Sequence, residues 1–282
     1  MPYFERLPPP PANIPNERRS SAIFLPPAGL PRKHPKSFEI LTTTNGEFVD
    51  MTDNWLEGIR RLGLRYNITL VCEDDIAYEH SKQRAHTEFK ILNTRNYSMS
   101  GLLRDGSFYQ DLILKRIVYI KDLVSSGRDV LLVDIDAVWL KDPLTHVMDV
   151  YDSYDIWIAQ GMTIVVPCPC FMYMKANPTV IQLSKDWISR IHYDKTLTKK
   201  ERGGKNVTDQ WALRPLLEQG EANGSLRVKR LAKTYFPTGD LYAAPRWHMN
   251  HSHEVAIAPA NHQGRHDGKL AFLKMFNLWF MS

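Results

Sequence analysis

Hydrophobic residues along the chain form two patterns, short continuous runs and stripes repeated every three or four positions. The runs are typical of strands buried on both faces, and the stripes are typical of helices that pack one face against a core. Runs and stripes alternate from residue 38, which predicts a parallel sheet with right-handed crossover helices. Strands are predicted at residues 38–46, 67–74, 89–92, 155–159, 171–174 and 226–231 and from residue 129, and helices at 49–62, 107–126 and 269–281 and after residues 178 and 206.

The most informative run begins at Asp129 and leads into two acidic residues, Asp134 and Asp136. Side chains two positions apart in a strand point to the same side, so both carboxylates are expected on one side of the strand, at its carboxyl end. Ligands bind at this edge of an open α/β sheet. Two adjacent carboxylates repel each other unless a cation lies beside them. A hard divalent cation, which usually also holds phosphate oxygens, is the simplest choice.

The same segment has two other interpretations. Two acids can end a strand at the surface and bind nothing. The motif also fits haloacid-dehalogenase-type phosphatases, in which the first aspartate is a nucleophile and Mg²⁺ is bound. That motif normally opens its domain, whereas here several strands and a long helix precede it. The continuation from Val138 to Pro143 makes the segment more specific than an isolated Asp-x-Asp.

Residues 1–37 differ from the rest of the chain in being rich in proline. Four consecutive prolines end at residue 11, and five more follow before residue 36. Such a segment favours extended polyproline conformations and cannot build a core. It is expected to be a leader or stem. No clean boundary follows it, so residues 38–282 are expected to form a single domain.

Composition and charge exclude several classes of protein. The net charge of +5 is mild and the basic residues are scattered, so no nucleic-acid partner is expected. A basic cleft for a nucleotide diphosphate fits equally well. The three cysteines are too few for a disulfide scaffold and are not spaced for a zinc site. Cys168 and Cys170 flank Pro169 and are expected as ordinary strand-end residues rather than as a redox pair.

Two signals disagree about the compartment. No apolar run approaches the length of a membrane span, and the first residues lack the apolar core of a signal peptide. Five Asn-x-Ser/Thr sequons nevertheless mark possible glycosylation in the secretory pathway. Either the chain works in the cytoplasm, or a membrane anchor lies outside this sequence and the chain works in the Golgi lumen or elsewhere in the secretory pathway. The sequons are at Asn67, Asn96, Asn206, Asn223 and Asn250.

Other polar residues stand at predicted helix faces and ends. Lys115 lies among apolar neighbours on the 107–126 helix, where it is either a lysine that snorkels to the surface or a cation aimed at a phosphate. Asp209 and Gln210 follow Thr208, a possible helix cap. The helix dipole alone favours an acid in a first turn, but this pair would also suit a sugar-sized cleft.

In their order and separation, these segments resemble a family of nucleotide-diphospho-sugar transferases. It is glycosyltransferase family 77, which includes plant cell-wall xylosyl- and arabinosyltransferases, and the similarity runs from about residue 38 to the carboxyl end. The resemblance implies a GT-A fold, an α/β architecture with a Rossmann-like, mostly parallel sheet flanked by helices and a mixed second half that binds the acceptor. The matching segments are Gly127–Val130, Val133–Pro143, Asn206–Gln210 and Ala260–Gly264, with Lys269.

The resemblance also implies a reaction. A sugar would move from a nucleotide-sugar donor, a UDP-sugar, to a hydroxyl group of a glycan or glycoprotein, with retention of configuration and with Mn²⁺ or Mg²⁺ bound. Asp209 and Gln210 would be the catalytic residues facing the sugar, and Asp136 would hold the metal that bridges the diphosphate. Asp134 would contact the metal or the ribose, and Thr42, Thr43 and Thr44 would lie beside the uridine. The other residues expected to bind the donor are Lys115, Asn261, Gly264 and Lys269.

One position departs from the family pattern. Related enzymes place a late histidine on the metal, and the family commonly has that histidine where this chain has Pro259. His262 is the expected replacement ligand. The departure adds a third interpretation, a protein that binds glycan or nucleotide without catalysis, beside the transferase and the phosphatase.

Overall fold

The computed structural model describes residues 38–83, 89–93, 107–161 and 166–281. The predicted leader, residues 1–37, lies outside these ranges. The described residues belong to one structural unit. Within them, no helix combines the length and the apolar character needed to cross a bilayer.

The first half of the chain alternates strands and helices, as predicted. Its elements are β1 (Phe38–Thr44), α1 (Val49–Arg61), β2 (Ile68–Cys72), α2 (Asp75–Gln83), β3 (Phe89–Asn93), α3 (Ser107–Ser125) and β4 (Asp129–Val133). The four strands pair in parallel in the order β3-β2-β1-β4. Helix α2 was not predicted, because its only buried residues are Ala77 and Ser81 and no apolar stripe marks it.

The second half consists of shorter elements. They are β5 (Ala137–Trp139), α4 (Thr145–Met148), β6 (Ile156–Gln160), β7 (Pro167–Met174), α5 (Pro178–Thr196), α6 (Asp209–Ala222), β8 (Val228–Arg230), α7 (Gly239–Ala243), α8 (Pro245–His251), β9 (Ile257–Pro259) and α9 (His266–Met275), with 3₁₀ turns at Gly46–Phe48 and Tyr151–Ser153. Strands β7, β6 and β8 extend the large sheet to the order β3-β2-β1-β4-β7-β6-β8, and β5 and β9 form a separate sheet. Only β7 runs antiparallel to its neighbours in the large sheet of the described residues. The predicted α/β architecture with a mostly parallel sheet is confirmed.

Helices cover both faces of the large sheet. On one face, α3, α5 and α6 contribute residues such as Ile117 and Trp187 to a buried cluster that also contains Leu132 of β4. On the other face, Trp55 of α1 packs in a second cluster that contains Leu131. Neighbouring residues of β4 therefore serve opposite faces, as expected of a strand buried on both sides. Each large apolar side chain so buried contributes about 1.5–3 kcal/mol.

Strand β4 ends at Val133, before the two acids. Asp134 N donates to Cys170 O of β7 at 3.0 Å, and Ala137 N donates to Asp134 O at 3.0 Å, so residues 134–136 form a turn. Strand β5 then leaves the large sheet and pairs with β9. The expectation that both acids share one side of a strand is therefore wrong. They lie in the turn that joins the two sheets.

The opposite end of the large sheet also carries buried acids, and there they are enclosed by hydrogen-bond donors. Asp129, the first residue of β4, accepts from the hydroxyl groups of Tyr151 and Tyr173 through Oδ2. Its Oδ1 atom accepts from Ala176 N at 2.7 Å. Both oxygens of this carboxylate are therefore satisfied within the protein.

Two further acids at this end follow the same rule. Glu39 of β1 accepts from the Thr69 hydroxyl group and from Arg128, whose Nη1 lies 2.8 Å from Oε2. Asp155, just before β6, accepts from Asn177 Nδ2 at 3.0 Å and from Arg227 through both its side chain and its backbone. This edge of the sheet is closed by contacts made within the chain.

Cys168 and Cys170 form a disulfide bond across Pro169. The expectation of ordinary strand-end residues is wrong in this respect. Residues two apart in a strand point to the same side, and the Cα–Cα distance of 5.2 Å lies in the usual range for disulfides. Cys72 is a buried free cysteine.

Candidate active site

Asp136 lies at the carboxyl edge of the large sheet, and its side chain is buried. Its Oδ2 atom forms an ion pair with Nζ of Lys269 in α9. Its Oδ1 atom is also buried, but no described residue donates a hydrogen bond to it. An unsatisfied buried acceptor costs about 1–3 kcal/mol. The fold therefore retains an oxygen that a bound ligand would satisfy.

The C-terminal segment holds α9 against this turn from both sides. Before the helix, Ala260 N donates to Asp136 O at 2.9 Å and continues the pairing of β5 with β9. After it, the buried side chain of Asn54 in α1 donates to Leu278 O at 3.0 Å and accepts from Phe280 N at 2.5 Å. The segments that flank the helix carrying the lysine are thus bonded to the turn on one side and to α1 on the other.

Arg116 of α3 joins the turn to the first turn of α6. Its guanidinium group donates to Asp134 Oδ1 at 3.0 Å and to Asp209 Oδ2. A planar guanidinium suits this bridge because it can serve two carboxylates at once. The sequence pattern places Arg116 on the apolar stripe of α3 and singles out its partly buried neighbour Lys115 instead. The sequence did contain a signal for Arg116, because a charged residue stands directly before Ile117, which is buried.

The site contains more negative than positive side chains. Asp134 keeps 37% of its side chain exposed, yet burial of its carboxyl group among protein atoms raises its pKa to about 6. The carboxylates of Asp136 and Asp209 raise the pKa further, whereas Arg116 and Lys269 oppose the shift. Three carboxylates facing two cations favour the binding of an additional positive charge.

Helix α6 begins with contacts that fix the two predicted catalytic residues. Thr208 caps the helix by accepting a hydrogen bond from Trp211 N at 3.2 Å, as expected. Asp209 is buried, and its Oδ1 atom accepts from Gln210 N at 2.8 Å. Gln210 Nε2 donates to Pro167 O at 2.6 Å, which holds the side chain against β7. Both residues lie on the α6 side of the arginine bridge.

Asn261 follows β9 and lies against the disulfide. Its Nδ2 atom is 3.8 Å from Cys168 Sγ and 4.0 Å from Cys170 Sγ. Its Oδ1 atom accepts from Gly239 N at 2.6 Å. A Cβ atom at position 239 would lie 2.4 Å from Asn261 O, so this close approach requires glycine. Asn261 therefore connects the loop before α9 to β7 and α7.

The three threonines assigned to the uridine occupy different environments. Thr42 is buried and donates to Val133 O at 2.7 Å. Thr44 is also buried and accepts from the Thr52 hydroxyl group at 2.7 Å. Thr43 is partly exposed near the carboxyl end of β1. Of the three side chains, that of Thr43 is the one open to a ligand.

The residues fit a hard cation in their chemistry, although no three His, Cys, Asp or Glu side chains of the described ranges converge on one point. Asp136 offers a buried oxygen without a partner, and Asp134 lies beside it. Oxygen ligands of this type suit Mn²⁺ and Mg²⁺. His262 is exposed and adopts a φ of 66°, and Gly264 in the same loop has a φ of 78°. The metal assignment to Asp134, Asp136 and His262 stays a prediction.

The fold is that of GT-A glycosyltransferases. Glycosyltransferase GlyE of Streptococcus pneumoniae TIGR4 superimposes with a TM-score of 0.52 and 15% sequence identity, over 87% of this chain and 61% of that one. Galactosyltransferase LgtC, in complex with donor and acceptor sugar analogs, superimposes with a TM-score of 0.50 and 10% identity, over 87% of this chain and 97% of that one. The predicted GT-A architecture is confirmed.

The sequence matches the nucleotide-diphospho-sugar transferase family over residues 63–273, and the chain belongs to that family. UDP-D-xylose:L-fucose alpha-1,3-D-xylosyltransferase 3 of Arabidopsis thaliana is 23% identical over 263 residues, which are 86% of this chain and 66% of that enzyme. UDP-galactose:fucoside alpha-3-galactosyltransferase of Dictyostelium discoideum is 23% identical over 72% of this chain and 37% of that enzyme. The chain thus spans less than two thirds of each of these two relatives. The family resemblance is confirmed, and the match does not support the phosphatase interpretation.

Proposed function

We propose that this chain transfers a sugar from a UDP-sugar to a hydroxyl group of a fucose-containing glycan or glycoprotein. The reaction retains the anomeric configuration and uses bound Mn²⁺ or Mg²⁺. The carboxylate of Asp136 carries this proposal, because it is buried at the edge where open α/β sheets bind ligands and has one oxygen without a described partner. Membership of the nucleotide-diphospho-sugar transferases supports the donor class.

The relatives guide the choice of substrates. The xylosyltransferase and the galactosyltransferase both take UDP-sugars, and both are named for a fucose or fucoside acceptor. They differ in the sugar that they move. UDP-xylose is the first donor to test, since the xylosyltransferase aligns with 86% of this chain and the galactosyltransferase with 72%.

The site residues suit the charges of this reaction. Cleavage of a sugar–phosphate bond places negative charge on the departing diphosphate and positive charge on the sugar. A divalent cation held by Asp136, with Asp134 and His262, would neutralise the diphosphate. Lys269 adds a second positive charge at the same edge. Asp209 stabilises the cationic sugar, as carboxylates do in glycoside chemistry.

The arginine bridge and the first turn of α6 orient the sugar-facing groups. Arg116 holds one oxygen of Asp209, and the backbone N–H of Gln210 holds the other. Gln210 is itself fixed by Pro167. The acceptor hydroxyl group attacks from the face that the diphosphate leaves, and the departing phosphate oxygen accepts its proton. This route retains the configuration without a separate base.

The proposed compartment is the Golgi lumen. The sequon asparagines Asn67, Asn223 and Asn250 are exposed, and a disulfide bond suits an oxidising compartment. The chain expressed with a secretory leader should shift in mobility after N-glycosidase treatment. An unglycosylated product would favour the cytoplasmic alternative.

The central experiment measures UDP release by the purified chain with a panel of UDP-sugars and Mn²⁺, with and without a fucoside. Transfer predicts acceptor-dependent UDP release and a matching mass increase of the acceptor. Asp136→Asn should lower the rate of both about a thousandfold, whereas Asp152→Asn on the exposed surface should leave both unchanged. UDP binding without release from any donor would instead support the non-catalytic binding protein.

A further inference from the structure

The first turn of α9 carries two residues that contact different parts of the molecule. His266 Nε2 lies 2.8 Å and 3.0 Å from the two carboxylate oxygens of Asp50 in α1. Lys269, three residues later, forms its ion pair with Asp136. Residues three apart lie on the same side of a helix. One face of this turn thus spans the distance from α1 to the candidate active site.

Phe48 connects the same two side chains. Its ring centroid lies 5.5 Å from that of His266, and Lys269 Nζ lies 5.7 Å from the ring centroid. The Thr52 hydroxyl oxygen lies 3.0 Å from the backbone carbonyl oxygen of Phe48 and 2.7 Å from the hydroxyl oxygen of Thr44, at the end of β1. The phenylalanine on which His266 packs is therefore linked, through Thr52, to the central sheet.

The amino terminus of α9 depends on these tertiary contacts. Arg265, the residue before the helix, forms no side-chain cap within the described residues. Gly264, before it, has a φ of 78°. A Cβ atom at Gly268 would lie 1.9 Å from Gln263 O, so the turn approaches the preceding loop closely. In the absence of a local cap, the contact with Asp50 is one of the tertiary contacts that orient the start of the helix.

We propose that His266 is a positioning residue for Lys269: its contact with Asp50 fixes the first turn of α9 so that the lysine ammonium meets the donor diphosphate beside Asp136. This inference rests on the proposed function, since it assigns the lysine to the diphosphate of that donor. His266 acts through the lysine and need not touch the donor.

The charges around His266 favour its protonated form. Burial lowers its pKa, but the carboxylates of Asp50 on α1 and Asp267 on its own helix outweigh that effect, and the pKa is raised overall. The His266 side chain is 19% exposed and that of Asp50 is 40% exposed, so water partly screens the contact. Lys269 is the cation nearest along the same helix.

A double-mutant cycle tests the proposal through the dissociation constant of UDP with Mn²⁺, measured by calorimetry. His266→Phe keeps a ring against Phe48 and removes the ion pair, so UDP binding should weaken about tenfold in the wild-type background and by less than about twofold in the Lys269→Ala background. His266→Gln can still donate to Asp50 and should stay within about threefold of the wild type. His192→Phe, at an exposed position of α5, is the matched control.

Two results would overturn the inference: His266→Phe binding UDP as tightly as the wild type, or weakening it by the same factor with and without Lys269. If His266→Phe loses its cooperative melting transition, Asp50→Asn replaces it in the same cycle. Where turnover is measurable, the change should appear in KM for the donor more than in kcat. A wild-type chain that binds UDP but transfers no sugar would contradict the proposed transfer alone. A chain that does not bind UDP would contradict both the transfer and the positioning role of His266.

Discussion

Strand β4 has an aspartate at each end, and the fold surrounds the two differently. Asp129, at its start, accepts hydrogen bonds from two tyrosine hydroxyl groups and a backbone N–H. Asp136, just beyond its end, has one oxygen without a partner among the described residues. Their exposures are nearly equal, 6% and 4%. Burial therefore does not distinguish the two ends, whereas the partners do.

The kind of donor also differs between the two ends. Burial raises the pKa of Tyr151 and of Tyr173, so both hydroxyl groups stay protonated and keep donating to Asp129. Arg116 and Lys269 instead bring positive charge to the other end. A phosphate can pair with these two cations, and a metal ion can replace them beside the carboxylates. The hydroxyl groups around Asp129 carry no charge that a ligand could pair with or replace. The start of the strand is thus closed by donors within the chain, whereas at its end Asp136 Oδ1 keeps no donor among the described residues.

The largest expected effect comes from Asp136→Asn. We expect the rate of sugar transfer to fall about a thousandfold, a rise in the barrier of about 4 kcal/mol, because charge stabilisation at the departing diphosphate is lost. UDP release per folded molecule measures it. The melting temperature should change little, because the substitution removes the ion pair with Lys269 but also relieves repulsion from Asp134. If Asp136→Asn kept full Mn²⁺-dependent transfer, the two ends of β4 would not differ in function.

Asp129→Asn should have the opposite signature. The amide cannot accept from all three donors, so the free energy of unfolding should fall by about 2–3 kcal/mol. Transfer per folded molecule, assayed well below the melting temperature, should stay within about twofold of the wild type. Urea unfolding supplies the first number. Loss of activity at unchanged stability would place a binding role at the start of β4.

The sequence predicted the strand but could not distinguish its two ends. The apolar run is local, so periodicity reveals it. The partners are distant: Tyr173 lies 44 residues from Asp129, and Lys269 lies 133 residues from Asp136. Both aspartates flank the same run, and only the tertiary contacts show which one is satisfied.

A smaller effect is expected from Arg116→Lys. An ammonium group cannot bridge Asp134 and Asp209 as a planar guanidinium does, so kcat/KM should fall about tenfold. The matched control is Arg128→Lys at the closed end, where the arginine pairs with Glu39 and activity should not change. Equal losses from the two substitutions would mean that arginine geometry is not what matters in the site.

The smallest expected effect is a difference in the pH dependence of stability, measured without divalent ions. The pKa of Asp134 is raised to about 6, so its contribution to stability is present at low pH and is lost as the pH rises from about 4 to about 6. For Asp155, burial raises the pKa, but Arg227 outweighs it and the pKa is lowered. Its contribution is therefore lost as the pH falls.

Urea unfolding of the wild type, Asp134→Asn and Asp155→Asn between about pH 2 and 7 checks the signs, because Asp155 titrates below the ordinary aspartate value of about 4 and Asp134 above it. The stability of the wild type relative to Asp134→Asn should decrease with rising pH, and that relative to Asp155→Asn should increase. Slopes of the same sign would show that the two ends of the sheet are not electrostatically distinct.

Sequence patterns located the edge of the sheet that forms the site but only part of its contents. Asp209 and Gln210 were predicted because a cap and a first turn are local features. Arg116 was missed, since helical periodicity alone places it on an apolar stripe. The Cys168–Cys170 bond was missed because its short spacing is not that of a known redox motif, although a strand brings the two side chains together.

The pairing of β5 with β9 has a consequence for biosynthesis. The ribosome delivers Asp136 long before the residues from Ile257 onward that hold its turn, and the lysine follows 133 residues after the aspartate. A nascent chain can therefore assemble the parallel strands while its donor-binding edge is still incomplete. On the proposed function, the chain can bind its nucleotide only late in translation, after the parallel strands that support the site have been made.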